Sequence, residues 1–320
     1  MKWIKKGLIF DPSSYNLPLN CKGYAQSPQV IVFDDFVRVY FSSRELDESG
    51  KFLSHIVFAD FDKSFKKVLQ ISSNEVISLG NLGCFDEHGI FPLNVFRVED
   101  EVYGYIGGWN RRKSVSVDGA IGLAVSKDDG LTFQRVNDGP ILSASPNEPF
   151  LIGDPFVQKY NNIFHMWYIF GTEWIVFNEG SPADRVYKIG HAESINGIDW
   201  EKTSEGKAIV SDSLAEVESQ ALPTVIKIGD RFHMYFCFRH SSNFRQNPGR
   251  GYRIGHAYSD DLLNWVRDDD VFGLDMTSDT WDGIMNCYPH VFQLNGEVCM
   301  LYNGNEFGRN GFGLAVLAAD

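Results

Sequence analysis

Residues 281–316 read WDGIMNCYPHVFQLNGEVCMLYNGNEFGRNGFGLAV. Three short patterns follow one another here: Pro289 with Val291 two positions on, an aromatic at Tyr302, and a segment with a small residue near its centre, Ala315. The same patterns recur upstream in the same order. The other proline segments are SPQV at Pro28, FPLNV at Pro92, DPFV at Pro155 and LPTV at Pro223, so successive prolines stand 64, 63, 68 and 66 residues apart. The Pro92 copy carries one extra residue before its valine. Thirteen residues beyond each proline stands Phe41, Tyr105, Tyr168, Phe236 or Tyr302. The segments around that column (VRVYFSSR, EVYGYIGGW, IFHMWYIFG, RFHMYFCFR, EVCMLYNGN) alternate and are rich in aromatic and β-branched residues, which predicts strands. IVFAD, IGLAVS, IGHAES, IGHAYS and GLAVL supply a further strand. Turn signals and an aromatic follow three of these, in SKDDGLTF, SINGIDW and SDDLLNW. They lead into a fourth strand beginning FQRV, WEKT or WVRD, with FKKV as the looser first copy.

Five copies of a four-stranded meander, about 65 residues each, predict an all-β, five-bladed β-propeller. The last copy stops after its third strand. Trp3-Ile4-Lys5-Lys6 resembles WEKT and WVRD, so the N-terminal strand is expected to complete the last blade and remove two open sheet edges. Residues 1–320 then form one domain. A pair of β-sandwiches would not repeat three patterns in one order five times.

Composition agrees. The chain has 320 residues with 25 Phe, 13 Tyr, 7 Trp and 30 Gly, which favours short strands and tight turns over helices. Its formal net charge of −13 argues against nucleic acid and anionic membrane as general partners. Cys21, Cys84, Cys237, Cys287 and Cys299 are odd in number and match no metal-ligand spacing. The start, MKWIKKGLIF, is too short and polar for a secretory h-region, and no apolar run is long enough to insert in a membrane. The reading is a cytoplasmic protein with free thiols, no metal and no cofactor.

In an antiparallel meander, the start of the inner strand and the end of the next lie at one edge. Residues just before each proline and just after each aromatic column are therefore expected to meet in one mouth. They include Gln26, Ser27, Arg44, Asp86, Glu87, His88, Trp109, Asn110, Arg111, Asp154, Glu173, Trp174, Glu218, Arg239, His240, Asp282, Asn286, Tyr288, Asn303 and Asn305. Carboxylates, amides, arginines and exposed aromatics together suit a sugar, whose hydroxyls need polar partners and whose C–H faces stack on rings.

At these residues the chain resembles the five-bladed glycoside-active superfamily, which includes arabinanases, xylosidases, invertases, levansucrases and mannoside phosphorylases. Residues 281–316, and FRHSSNFRQNPGRGYRIGHAYSDDLLNW at 238–265, also resemble bacterial proteins described as glycosyl hydrolases of surface-polysaccharide pathways. The resemblance implies acids on the inner strands of successive blades, the first of them an Asp directly before proline. Here the first blade has Gln26-Ser27-Pro28, and the Asp-Pro pair stands in the third as Asp154-Pro155. Hydrolysis through the standard triad cannot be carried over directly.

The catalytic candidates are therefore Asp154, Glu218 and Glu87, since glycoside cleavage needs two carboxyl groups about the scissile bond. Asp154 has the alternative of capping its strand. Arg44, His88, Trp109, Asn110, Arg111, Glu173, Arg239, His240, Arg245, Tyr288, Asn303 and Asn305 are the candidate substrate contacts. The arginines suggest an anionic or phosphorylated carbohydrate. Arg253 and Lys188, matched in YRIGHA and YKIGHA, and His165 and His233, matched in FHMWY and FHMYF, read as structural repeats. A glycosidase-like enzyme is the expected function. A transferase or phosphorylase, and a propeller that only binds glycan, are the alternatives.

Overall fold

The structure is a computed structural model that describes residues 2–271, 274, 276 and 280–318. It is all-β. Strand β1 (Trp3–Phe10) precedes a first meander, β2 (Gln26–Val32), β3 (Phe36–Leu46), β4 (Phe52–Asp62) and β5 (Val68–Ile71). A second follows: β6 (Gly89–Val98), β7 (Glu101–Arg111), β8 (Val117–Ser126) and β9 (Gln134–Arg135). One parallel bridge, Ser54 to Gly89, joins these two into an eight-stranded sheet. Two separate four-stranded sheets come next. One is β10 (Ile152–Tyr160), β11 (Ile163–Ile175), β12 (Asp184–Ser194) and β13 (Glu201–Lys202); the other is β14 (Glu218–Ile228), β15 (Arg231–His240), β16 (Arg253–Ser259) and β17 (Val266–Arg267). The last sheet holds β18 (Cys287–Leu294), β19 (Glu297–Asn303) and β20 (Phe312–Leu317), with β1 antiparallel to β20. The WIKK segment thus occupies the outer position that its likeness to WEKT and WVRD implies. Among the described residues no helix is long and apolar enough to cross a membrane.

Each recurrent sequence pattern has a physical function. The aromatic column is buried throughout: Phe41, Tyr105, Tyr168, Phe236 and Tyr302 are at most 1% exposed. Tyr168, Phe236 and Tyr302 stand opposite Gly190, Gly255 and Gly313 on the neighbouring strand. A Cβ at Gly255 would come within 2.8 Å of the Phe236 ring, which explains why the IGHA motif keeps glycine there. The prolines mark bulges: the register shifts across each one, between Gln26 and Gln29, Ile90 and Leu93, Gly153 and Phe156, Ala221 and Thr224, and Cys287 and His290. Ser27, Asp154, Leu222 and Tyr288, each just before its proline, have φ of 51°, 51°, 47° and 56°. Left-handed backbone at non-glycine residues is unfavourable and concentrates where a side chain must be re-aimed.

A fourth regularity joins the outer strands to the loops that lead into the inner ones. The basic residue two positions after the outer-strand aromatic reaches a buried acid. Arg135 donates to Asp86 (2.9 Å from Nε), Lys202 meets Glu148 at 2.5 Å, Arg267 meets Glu218 at 2.6 Å and Lys5 meets Asp282 at 2.6 Å. These four acids are at most 2% exposed. His165 and His233 are likewise structural, hydrogen-bonded to His191 and His256 at 3.1 and 3.0 Å.

Candidate functional site

At the bulged ends of the inner strands lies a cavity of about 310 Å³. Gln26, Arg44, Phe91, Trp109, Asp118, Asp154, Arg185, Tyr187, Arg245, Tyr252 and Tyr288 are among its lining residues, so all four sheets or their connecting loops contribute. A second space of about 340 Å³ shares Arg44, Arg185, Tyr187, Arg245, Tyr252 and Tyr288 with the first. It adds Tyr24, Arg239, Phe244, Glu306 and Phe307. The cavity and this chamber are therefore contiguous.

Asp154 is the buried carboxyl of the cavity, 7% exposed. The bulge at Pro155 turns it out of the strand's alternation, and one oxygen accepts the Leu222 amide at 3.3 Å. Burial pushes its pKa up to about 7, against the opposing pull of the Leu222 amide and Arg185. Such a carboxyl can carry and release a proton near neutrality. Asp118, at the start of β8, is a second lining carboxylate. It accepts the Gly119 amide at 2.9 Å and is paired with Arg112.

Four arginines surround the chamber. Arg239 is buried, donates to the Tyr187 hydroxyl at 2.9 Å and to the His240 carbonyl at 2.9 Å, and lies 3.6 Å over the Phe244 ring. The Tyr187 and Tyr252 hydroxyls touch each other. Arg245 lies 4.2 Å from the centroid of the same Phe244 ring, and Asp184 is 3.8 Å away. Burial, followed by the charges of Arg185 and Arg239, lowers the Arg245 pKa. Arg44 donates to Gln26 at 2.9 Å and stacks on Tyr24 at 4.7 Å, and burial lowers its pKa. Arg185 donates to Ser116 at 3.3 Å. Among the described residues, Arg44, Arg185 and Arg239 have no ion-pair partner.

Of the residues read from sequence, the structure brings Asp154, Gln26, Arg44, Trp109, Arg239, Arg245 and Tyr288 to the cavity and chamber. It places the others elsewhere. Glu218 is fully buried and occupied: Arg267 holds one oxygen, and the Ser213 and Leu214 amides hold the other at 3.0 and 3.1 Å. Burial raises its pKa, but Arg267 and these amides outweigh that and the net shift is downward. An ionised carboxylate locked in that way has no proton to give. Glu87 accepts the Gly83 amide at 3.0 Å within its own loop. The acids that repeat from meander to meander are Asp86, Glu148, Glu218 and Asp282, each held by a base of the outer strand.

His88 stacks beside Trp109 and accepts the Arg111 amide at 3.4 Å, supporting the cavity wall from behind. Arg111 is spent on Asp47 and the Phe52 carbonyl at 2.7 and 2.8 Å. Asn110 faces Asp118 across the β7–β8 ladder, and Glu173 is exposed on β11. His240 sits 3.9 Å from Glu216, with its pKa lowered by burial and then by Arg250. Asn303 is buried, accepting the Ser27 amide at 2.8 Å and donating to Ala25 and Gly311 carbonyls. Asn305 accepts the amides of Ile284 and Met285 at 2.8 and 3.0 Å. Both asparagines hold loops together. Lys188 reaches Asp212 at 2.6 Å, and Arg253 donates to backbone carbonyls at 2.8 and 3.0 Å, as their recurrence suggests.

Asp118, Arg185, Tyr187 and Tyr252 escaped the sequence reading. They lie at the start of the third strand of a meander, or just before it, at the same end as the bulges. The repeated tyrosine of YKIGHA and YRIGHA was the available signal.

No family model matches the chain. It is 31% identical over 318 residues to the protein named uncharacterised protein Rv1502 of Mycobacterium tuberculosis (strain ATCC 25618 / H37Rv), covering 99% of both chains. The chain belongs to the family of that protein. A shorter similarity, 27% over 137 residues, covers 41% of this chain and 43% of the β-1,2-mannobiose phosphorylase of Thermoanaerobacter sp. (strain X514). Among solved structures, a glycoside hydrolase superposes with a TM-score of 0.74 at 19% identity, covering 99% of this chain and 92% of the other. The endo-arabinase of Bacteroides thetaiotaomicron VPI-5482 gives 0.61 at 14% identity, covering 98% and 99%. The fold of this family is thus that of the propeller-type glycoside hydrolases.

Proposed function

We propose that the protein is a carbohydrate-active enzyme that cleaves or transfers a glycosidic bond in the cavity, with Asp154 as its proton-transferring carboxyl. The observation that carries this reading is Asp154 itself, buried at a bulge and titrating near 7 among aromatic and guanidinium groups. Asp118 is the second carboxylate of the same cavity, and glycoside chemistry needs two. Trp109 and Tyr288 supply ring faces for sugar C–H groups. The glycoside hydrolases that share the fold support the substrate class.

The meanders are read as five blades of one propeller and one domain. Side-chain bonds between inner strands support this: His290 to the Val30 amide (3.1 Å), Asn94 to Gln29 (2.8 Å) and the Val157 amide (2.9 Å), and Thr224 to the Val291 amide (3.1 Å). A cytoplasmic location accords with five free cysteines.

The test is a panel of oligosaccharides incubated with and without inorganic phosphate, with products identified by mass. Asp154→Asn should reduce turnover on any confirmed substrate by roughly 100-fold or more, with affinity changed far less. Full activity in that variant overturns the assignment. The arginines without counter-ions and the similarity to a mannobiose phosphorylase favour a second reading, phosphorolysis, in which product forms only when phosphate is present. Sugar binding without turnover in either condition would leave a glycan-binding propeller.

A further inference from the structure

The carbohydrate reading leaves the outer chamber unexplained. In a chain of net charge −13, several buried arginine forks elsewhere hold carboxylates: Arg38 holds Asp60, Arg135 holds Asp86 and Arg267 holds Glu218, whereas Arg253 is satisfied by backbone carbonyls. Arg44, Arg185 and Arg239 have no carboxylate partner in the chamber wall, and Arg245 has only Asp184 at 3.8 Å. Among the described residues the chamber wall has one acid, Glu306, and it is engaged by Arg309 at 2.7 Å. Gathering like charges in partial burial is unfavourable, and a bound anion offsets that cost.

Resting on that reading, we propose that the chamber holds an acidic sugar unit and that Arg185 and Arg245 receive its carboxylate. The walls carry both parts of such a unit. Half-buried Phe307 offers ring surface to sugar C–H groups, while stacking orients the planar forks of Arg44 on Tyr24 and of Arg239 and Arg245 on Phe244. A space of about 340 Å³ falls in the range of small-molecule sites and far exceeds what a lone oxyanion fills. Its continuity with the cavity at Asp154 makes it a subsite of one extended glycan.

An oxyanion at these arginines has two sources, a carboxylate on the sugar or free phosphate, and a calorimetric binding experiment separates them. The ligands are matched pairs (glucose and glucuronic acid, galactose and galacturonic acid, mannose and mannuronic acid), N-acetylneuraminic acid, and inorganic phosphate. At least one acidic sugar is expected to bind about tenfold or more tighter than its neutral partner, because a charged hydrogen-bonded pair is lost. Arg185→Ala and Arg245→Ala, with wild-type circular dichroism, should each weaken that ligand by about tenfold or more and the neutral partner much less. Equal binding of acidic and neutral partners, insensitive to both variants, overturns the charge inference and leaves the carbohydrate reading standing. Binding of phosphate that depends on both arginines, without preference for acidic sugars, overturns it in favour of a phosphate reactant. If no sugar in the panel binds, both readings fail.

Discussion

If Asp154 is the proton-transferring carboxyl proposed above, it couples activity to stability through one proton. Its folded-state pKa is raised from 3.8 to about 7 by burial. Between about pH 4 and pH 7 the native protein therefore keeps a proton that the unfolded chain has released. The stability contributed by the neutral carboxyl is complete below the unfolded pKa and is lost as pH rises through the folded one. Asparagine cannot ionise and keeps an acceptor for the Leu222 amide. Asp154→Asn should thus melt above wild type at pH 8 and level with it at pH 4, while losing activity. Melting curves that coincide at both pH values would show that the carboxyl is not held neutral. Glu218 behaves oppositely. Glu218→Gln removes the buried one of Arg267's two carboxylate partners and leaves Asp269 at 2.8 Å, so the cost falls below the roughly 3–5 kcal/mol of a fully broken buried pair. The expected result is a lower melting temperature with unchanged turnover per folded molecule. A selective loss of turnover would return Glu218 to the chemistry.

At the scale of elements, β1 is the test of how the last sheet is completed. It pairs with β20 from Trp3 opposite Leu317 to Phe10 opposite Phe312. Trp3 is 3% exposed and packs edge-on against Tyr235 of β15, and Lys5 reaches Asp282. Deleting residues 2–10 bares the β20 edge, leaves Asp282 without its lysine and empties the Trp3 site. The last effect alone is worth on the order of 3 kcal/mol. A marked drop in melting temperature, or aggregation through the exposed edge, is expected in calorimetry and light scattering. An unchanged melting curve would remove β1 from the account of stability.

For the whole molecule, the two described ends meet: the Ala318 amide donates to the Lys2 carbonyl at 2.8 Å. A circular permutant that joins these ends by a short linker and opens the exposed turn at Asp138–Gly139 keeps every sheet pairing. It should show wild-type circular dichroism and a melting temperature close to the parent, in contrast to the β1 deletion. Loss of cooperative melting in the permutant would mean that chain order, not proximity, holds the last sheet.

The sequence by itself determined what repeats. The aromatic column, the proline bulges and the outer-strand aromatic each recur because every meander must solve the same packing problem. Five copies make the solution legible from spacing alone, and the likeness of WIKK to WEKT places β1. It also marked Asp154, through the one Asp-Pro pair among the five repeated prolines. The sequence misled where repetition and function coincided. Glu218 stands near a proline like a catalytic acid, yet its partner Arg267 lies 49 residues away along the chain, and only folding shows that the pair is a buried strut. Arg185, Tyr187 and Tyr252 carry no special spacing relative to the prolines. They join the site because strand hairpins return to the same edge, and the bulges turn Asp154 and Tyr288 toward them. Which polar groups are already satisfied, and which face an open space, depends on long-range contacts that no local pattern encodes.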